Sequence, residues 1–98
     1  MYLVHAHLRP PAQAGDLPLD VRALVYGCAG PEDGVEHVSV HDNPPSPPVL
    51  GLFLVSDSLA RAEATATAVC TRLLEDHPAF SGWALVRAEA PLIVVDGQ

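Results

Sequence analysis

The chain has 98 residues, of which 49% are hydrophobic and 17% charged, and this length predicts a single domain spanning residues 1–98. The formal net charge is −7 at pH 7, and the five basic side chains, all arginine, form no cluster, so neither nucleic acid nor an anionic membrane is an expected partner. No apolar run is long enough to span a bilayer and the N-terminus has no signal-peptide pattern, so we expect a cytoplasmic protein.

Residues 2–9 predict the first strand, because successive side chains of a strand point to opposite faces and this segment divides into two different faces. One face carries Tyr2, Val4, Ala6 and Leu8, and the other carries Leu3, His5, His7 and Arg9. Side chains at positions i and i+2 of a strand point to the same face, so His5 and His7 are expected side by side. This pair of imidazoles is the first candidate for a functional site.

A short helix and a second strand are predicted next. Residues 16–30 carry apolar side chains at helical spacing, with Asp16 as the candidate N-cap and Gly30 as the stop. After a turn at 31–34, residues 35–41 alternate as a second strand. One face of this strand collects Val35, His37, Ser39 and His41.

A proline-rich loop leads into the central strand and the clearest helix. Residues 42–48, DNPPSPP, are interpreted as a stiff connection, with a lid over the sheet as the alternative. The nearly all-apolar residues 49–55 predict a strand covered on both faces. Residues 56–78 predict a long helix, for which Ser56, Asp57 and Ser58 are the candidate caps.

Residues 82–88 predict the fourth strand, with Trp83, Leu85 and Arg87 on one face. The apolar segment PLIVV at 91–95 predicts an extended C-terminal tail. The resulting order, β-α-β-β-α-β, predicts an α+β fold of ferredoxin-like type, an antiparallel sheet with both helices on one face. The other face is left open, and it supplies the predicted ligand-binding residues: His5, His7, His37, His41, Trp83 and Arg87.

The element order resembles that of the dimeric α+β barrel superfamily, as do the passage HPAFSGWALVRAEAPL and the apolar tail. This superfamily includes small monooxygenases of the antibiotic-biosynthesis type and muconolactone isomerase-like proteins. The resemblance implies two sheets packed face to face, with ligands between sheet and helices or within the barrel. It carries over no catalytic residue, because no motif here is specific to one of its families. An open face bearing apolar side chains independently predicts a homodimer.

His5 and His7 have the spacing of metal ligands, and His37 or His41 could complete a site. In this fold, however, the third strand separates the first two, which places them about 9–10 Å apart. We therefore predict no metal and no cofactor, and favour histidines that are half-buried polar groups of an interface. A histidine acting as a base beside Arg87 or Trp83 stays an alternative.

These patterns lead to two hypotheses about function. The first is a small non-catalytic homodimer that binds a small molecule or a protein partner through its open sheet face. The second is a cofactor-independent isomerase, cyclase or monooxygenase that uses a histidine as general base. An enclosed pocket in which His5, His7 or His37 approaches Arg87, Trp83 or an acid would favour the enzyme.

Overall fold

The computed structural model describes residues 1–12, 16–43 and 45–91. Its strands and helices follow the predicted order, βαββαβ. They are β1 (Tyr2–Arg9), α1 (Val21–Cys28), β2 (Val35–His41), β3 (Val49–Leu54), α2 (Leu59–Asp76) and β4 (Ala84–Glu89). Single turns of 3₁₀-helix at Pro31–Asp33 and Pro78–Phe80 follow the two helices.

The four strands form an antiparallel sheet in the order β2-β3-β1-β4, which confirms the ferredoxin-like topology. Both helices pack on one face of this sheet and bury a shared hydrophobic core. The core takes alternate residues from β1 and β3, namely Val4, Ala6, Leu8, Leu50, Leu52 and Leu54. The smallest extent of the molecule is 19 Å, which fits two layers and leaves the other sheet face open.

The long helix begins where one of its candidate caps lies. The Ser58 hydroxyl accepts a hydrogen bond from the backbone N–H of Arg61, and Pro78 follows the helix end. The short helix begins later than predicted, at Val21, with Asp20 rather than Asp16 at its N-cap. Pro18 accounts for the failure of the helix to start at Asp16, because a proline disfavours helical backbone at the residue before it, here Leu17.

Both edge strands contain a bulge that the sequence pattern did not predict. In β2 the pairing shifts at Glu36, so that Val35 lies opposite Leu54 and His37 opposite Phe53. Val35 therefore packs against the core, and its predicted place beside His37 was wrong. An extra residue in a strand shifts the alternation of side chains on one side of it relative to the other. The prediction that every second residue of β2 shares a face was therefore wrong at this position.

One side chain of α2 contacts both the end of α1 and the 3₁₀ turn that precedes β2. Arg72 donates a hydrogen bond from Nη1 to the carbonyl oxygen of Cys28, at 2.6 Å, and pairs through Nη2 with the Asp33 carboxylate at 3.2 Å. Asp33 also accepts a hydrogen bond from the backbone N–H of Gly30. Cys28 is the last residue of α1, so the guanidinium satisfies a helix-terminal carbonyl that lacks an intrahelical partner.

The predicted extended C-terminal tail, PLIVV at 91–95, lies outside the described residues except for Pro91. The loop 42–48 is described apart from residue 44. Neither helix in the described ranges combines the length and apolar character needed to cross a membrane.

Candidate functional site

We call the sheet surface turned away from both helices the open face. Strand pairing arranges its side chains in rows that run across the sheet. The rows are His37–Phe53–Leu3, then Ser39–Gly51–His5–Glu89, then His41–Val49–His7–Arg87, and last Arg9–Ala84. Five of the six predicted site residues lie on this face; Trp83 does not.

The imidazole rings of His5 and His41 approach each other across the sheet, with centroids 5.6 Å apart. The expectation that β3 would hold the histidines of β1 and β2 apart was wrong for this pair. The strand order is as predicted, but the intervening residue of β3 is Gly51, which has no side chain. A Cβ at this position would collide with the Ser39 hydroxyl and touch the His41 ring.

Two further contacts complete this group, which we call the histidine cluster: His5, His7 and His41. The rings of His5 and His7 are 6.3 Å apart, and His41 Nε2 shares a hydrogen bond of 3.2 Å with the Ser39 hydroxyl. His37 lies outside the cluster and packs on the Phe53 ring instead. Within residues 1–12, 16–43 and 45–91, no three potential ligands are arranged to hold a metal ion.

The surroundings of His5 and His7 disfavour protonation of these two rings. Burial lowers the pKa of His5, and the neighbouring imidazoles of His41 and His7 lower it further. Burial also lowers the pKa of His7; Arg87 adds to this effect and Glu89 opposes it. Both rings are therefore mainly neutral at pH 7, where a neutral imidazole can accept a proton or a hydrogen bond.

The second bulge, at Val86 in β4, separates the facing of Leu85 from that of Arg87. Leu85 lies opposite the buried Leu8, while Arg87 lies opposite His7. In a regular strand, where Val86 would be paired like its neighbours, Leu85 and Arg87 would share one face, as the sequence pattern had predicted. Leu85 instead packs against the core, so its predicted place on the open face was wrong.

Trp83 also lies on the helix side, which corrects its prediction as an open-face residue. It precedes β4, and its backbone N–H donates to the carbonyl oxygen of Phe80 in the turn after α2. Its ring meets the ring of the buried Phe80 edge-on, with centroids 5.6 Å apart. Trp83 therefore packs against the core, which removes it from any site on the open face.

A pocket of about 300 Å³ opens where β1, β4 and the proline loop meet. It is lined by His7, Leu8, Arg9, Pro47, Val86 and Arg87. His7 and Arg87 were predicted site residues, whereas Arg9, Pro47 and Val86 were not. Arg9 could have been found, because it follows His7 by two residues and shares its face. The loop is fixed at this place by a hydrogen bond from the Leu8 N–H to the Pro48 carbonyl.

A larger pocket, of about 460 Å³, lies beside the start of α1. Residues 17–23 form most of its wall, together with Val40 and Asp42. Its charged side chains, Asp20, Arg22 and Asp42, are all exposed and mixed in sign. This pocket brings together none of the predicted site residues, so the open face is the stronger candidate site.

Comparisons with protein-family models, with curated proteins and with solved structures find no match to this chain.

Proposed function

We propose that this chain is a non-catalytic homodimer that binds a small molecule or a protein partner through its open face. The observation that carries the proposal is the make-up of the two central strands on that face. They present Leu3, His5, His7 and Arg9 from β1 and Val49, Gly51 and Phe53 from β3, so that Arg9 is the one arginine among seven residues. The open side of an antiparallel sheet that faces water normally carries charged and polar side chains.

The rows described above place Leu3 beside Phe53, and both are only half-buried in the single chain. Covering these side chains with a second copy would remove apolar surface from water, the main favourable term in protein association. The dimeric α+β barrel superfamily, which the sequence resembles, pairs two such sheets face to face. This resemblance supports the same arrangement for this chain.

Sedimentation equilibrium at tens of micromolar concentration tests the dimer, and a monomer under these conditions would contradict it. Leu3→Asp on the open face should shift the equilibrium to monomer, since it buries a charge in the proposed interface. Leu19→Asp is the matched control, because Leu19 is 106% exposed in the loop before α1. Circular dichroism checks that both variants fold.

A second measurement does not depend on any variant. Amide chemical shifts of the unaltered protein, followed by NMR during dilution, should change in β1 and β3, the strands at the centre of the open face. Changes confined to the outer surface of α2 would place the interface elsewhere and contradict the proposal. A thermal-shift screen with small carboxylic and aromatic compounds at two pH values tests ligand binding.

One observation favours the enzyme as a second candidate. His7 and Arg87 line the same pocket, and the negative charge of Glu89 is close enough to act on the pKa of His7, which it raises. An imidazole whose pKa is lowered is a free base at pH 7, as proton abstraction requires. Incubating the protein with phenylpyruvate and related carbon acids in D₂O, followed by ¹H NMR, tests this activity. Exchange that persists unchanged in His7→Gln would exclude His7 as the base.

A further inference from the structure

The pocket beside the proline loop concentrates positive charge in a chain whose net charge is −7. Two of the five arginines, Arg9 and Arg87, line it together with His7. These side chains come from two neighbouring strands, and His7 lies directly opposite Arg87. Two guanidiniums in the wall of one pocket attract an anion to it.

The only acidic side chain that pairs with these arginines among the described residues is Glu89. Its carboxylate lies 3.0 Å from Arg87 Nε, and both side chains are about half exposed. A guanidinium has five N–H donors, so a contact at Nε leaves its terminal amino groups for another acceptor. Within the described chain, Arg9 forms no ion pair. The donors in this pocket therefore exceed the acceptors that the described residues supply.

The remaining walls of the pocket are apolar. Pro47 lines one side, and Val86, the unpaired residue of the bulge, lines another and is 50% exposed. Ligand pockets generally have volumes of about 300–1,000 Å³, so a pocket of about 300 Å³ suits a small ligand. Its occupant should combine an anionic group with a compact apolar body.

We propose that this pocket binds a small organic oxyanion. The carboxylate or phosphate of the ligand lies on the guanidiniums of Arg9 and Arg87, with His7 beside it, and the apolar body contacts Pro47 and Val86. Guanidinium is the side-chain group best matched to both of these oxyanions, because its planar donors meet two oxygens at once. The proposal names the ligand class for the open-face function proposed above and rests on it.

Isothermal titration calorimetry with four probes tests the proposal: benzoate, its neutral analogue benzamide, phenyl phosphate and inorganic phosphate. We expect benzoate or phenyl phosphate to bind and benzamide to bind at least about tenfold more weakly, since it lacks the charge. Comparing benzoate with phenyl phosphate identifies the anionic group. Inorganic phosphate binding as tightly as phenyl phosphate would overturn the organic part of the proposal.

Arg9→Gln and Arg87→Gln should each weaken the better probe by about tenfold, because each removes charged donors to the anion. Arg61→Gln is the matched control, since it makes the same change in net charge at an exposed position in α2, on the opposite layer. Equal weakening by all three variants would show a general charge effect and overturn the site.

The two proposals fail in different ways. No binding of either anion, in a chain that still dimerises through its open face, overturns the ligand class alone. Benzamide that binds as tightly as benzoate, with changes in the backbone amide chemical shifts of His7 and Arg87, would likewise overturn the ligand class and leave the dimer uncontradicted. A monomer at tens of micromolar concentration contradicts the dimer whether or not benzoate binds.

Discussion

Replacing Arg72 by Met should destabilise the fold by about 2 kcal/mol. The hydrogen bond from the guanidinium to the Cys28 carbonyl, at 2.6 Å, accounts for about 1.5 kcal/mol as a charged bond to a helix-terminal group. The ion pair with Asp33 adds about 0.5 kcal/mol, because the Arg72 side chain is 43% exposed and water screens the pair. Methionine keeps the apolar stem and its packing.

For a chain of this size, about 2 kcal/mol corresponds to a fall in melting temperature of roughly 10 °C. Thermal unfolding followed by circular dichroism measures it, and urea unfolding gives the free energy. Arg61→Met is the control, since it removes the same charge from an exposed position of the same helix. Asp33→Asn keeps an acceptor for Gly30 and should cost only about 0.5 kcal/mol. A Met variant that melts with the parent, or an Asn variant that costs as much, would refute this assignment.

Three further changes test single contacts. Tyr26→Phe should cost about 1 kcal/mol in urea unfolding, because the Tyr26 hydroxyl accepts a hydrogen bond from the Val38 N–H; an unchanged midpoint would contradict this. Gly51→Ala should weaken the NMR cross-peaks between the His5 and His41 rings in a folded protein, since the new Cβ displaces the Ser39 hydroxyl next to His41; cross-peaks of parental strength would show that the gap at Gly51 is unnecessary. The pKa of His5 is lowered in the folded chain, so below about pH 6.5 the unfolded chain binds more protons than the folded one. The contribution of His5 to stability therefore falls as the pH drops from about 7 to 5, and His5→Gln should make the fall in stability shallower. Equal slopes of unfolding free energy against pH in the parent and the variant would contradict this.

The fold was readable from the sequence because each element carries a strong local pattern. The alternation in residues 2–9 and the apolar run from Val49 predict strands, and the stripe through Ala62, Ala66 and Val69 predicts the long helix, whose buried side it forms. These signals depend on near neighbours in the chain. The strand order then follows from the rules for connecting such elements.

The faces to which side chains of the edge strands point could not be predicted from the sequence in the same way. The bulges at Glu36 and Val86 arise from pairing with distant strands, and each reverses the facing of the residues before it. Leu85 and Arg87 therefore lie on opposite sides despite a spacing of two residues. Arg72 is a further example, since its partners Cys28 and Asp33 are about forty residues away in the sequence.

Gly51 is the residue that sequence reasoning should have weighted more. A glycine inside an otherwise apolar strand often marks a place where neighbouring groups approach closely. Here the groups are side chains of β1 and β2, which meet over the backbone of β3. The strand order was predicted correctly, but the length of two imidazole side chains above a residue without a side chain was left out.

Dimerisation and anion binding would be coupled if both use the open face. A second copy would bring two sets of Arg9, Arg87 and His7 into an environment with less water, where like charges repel more strongly. An anion on each pair of guanidiniums would offset part of this repulsion, so bound ligand would favour the proposed dimer. Thermodynamic linkage then requires the dimer to bind the anion more tightly than the monomer does, by the same factor. On this argument, an anion in each pocket would strengthen a dimer that also forms without it.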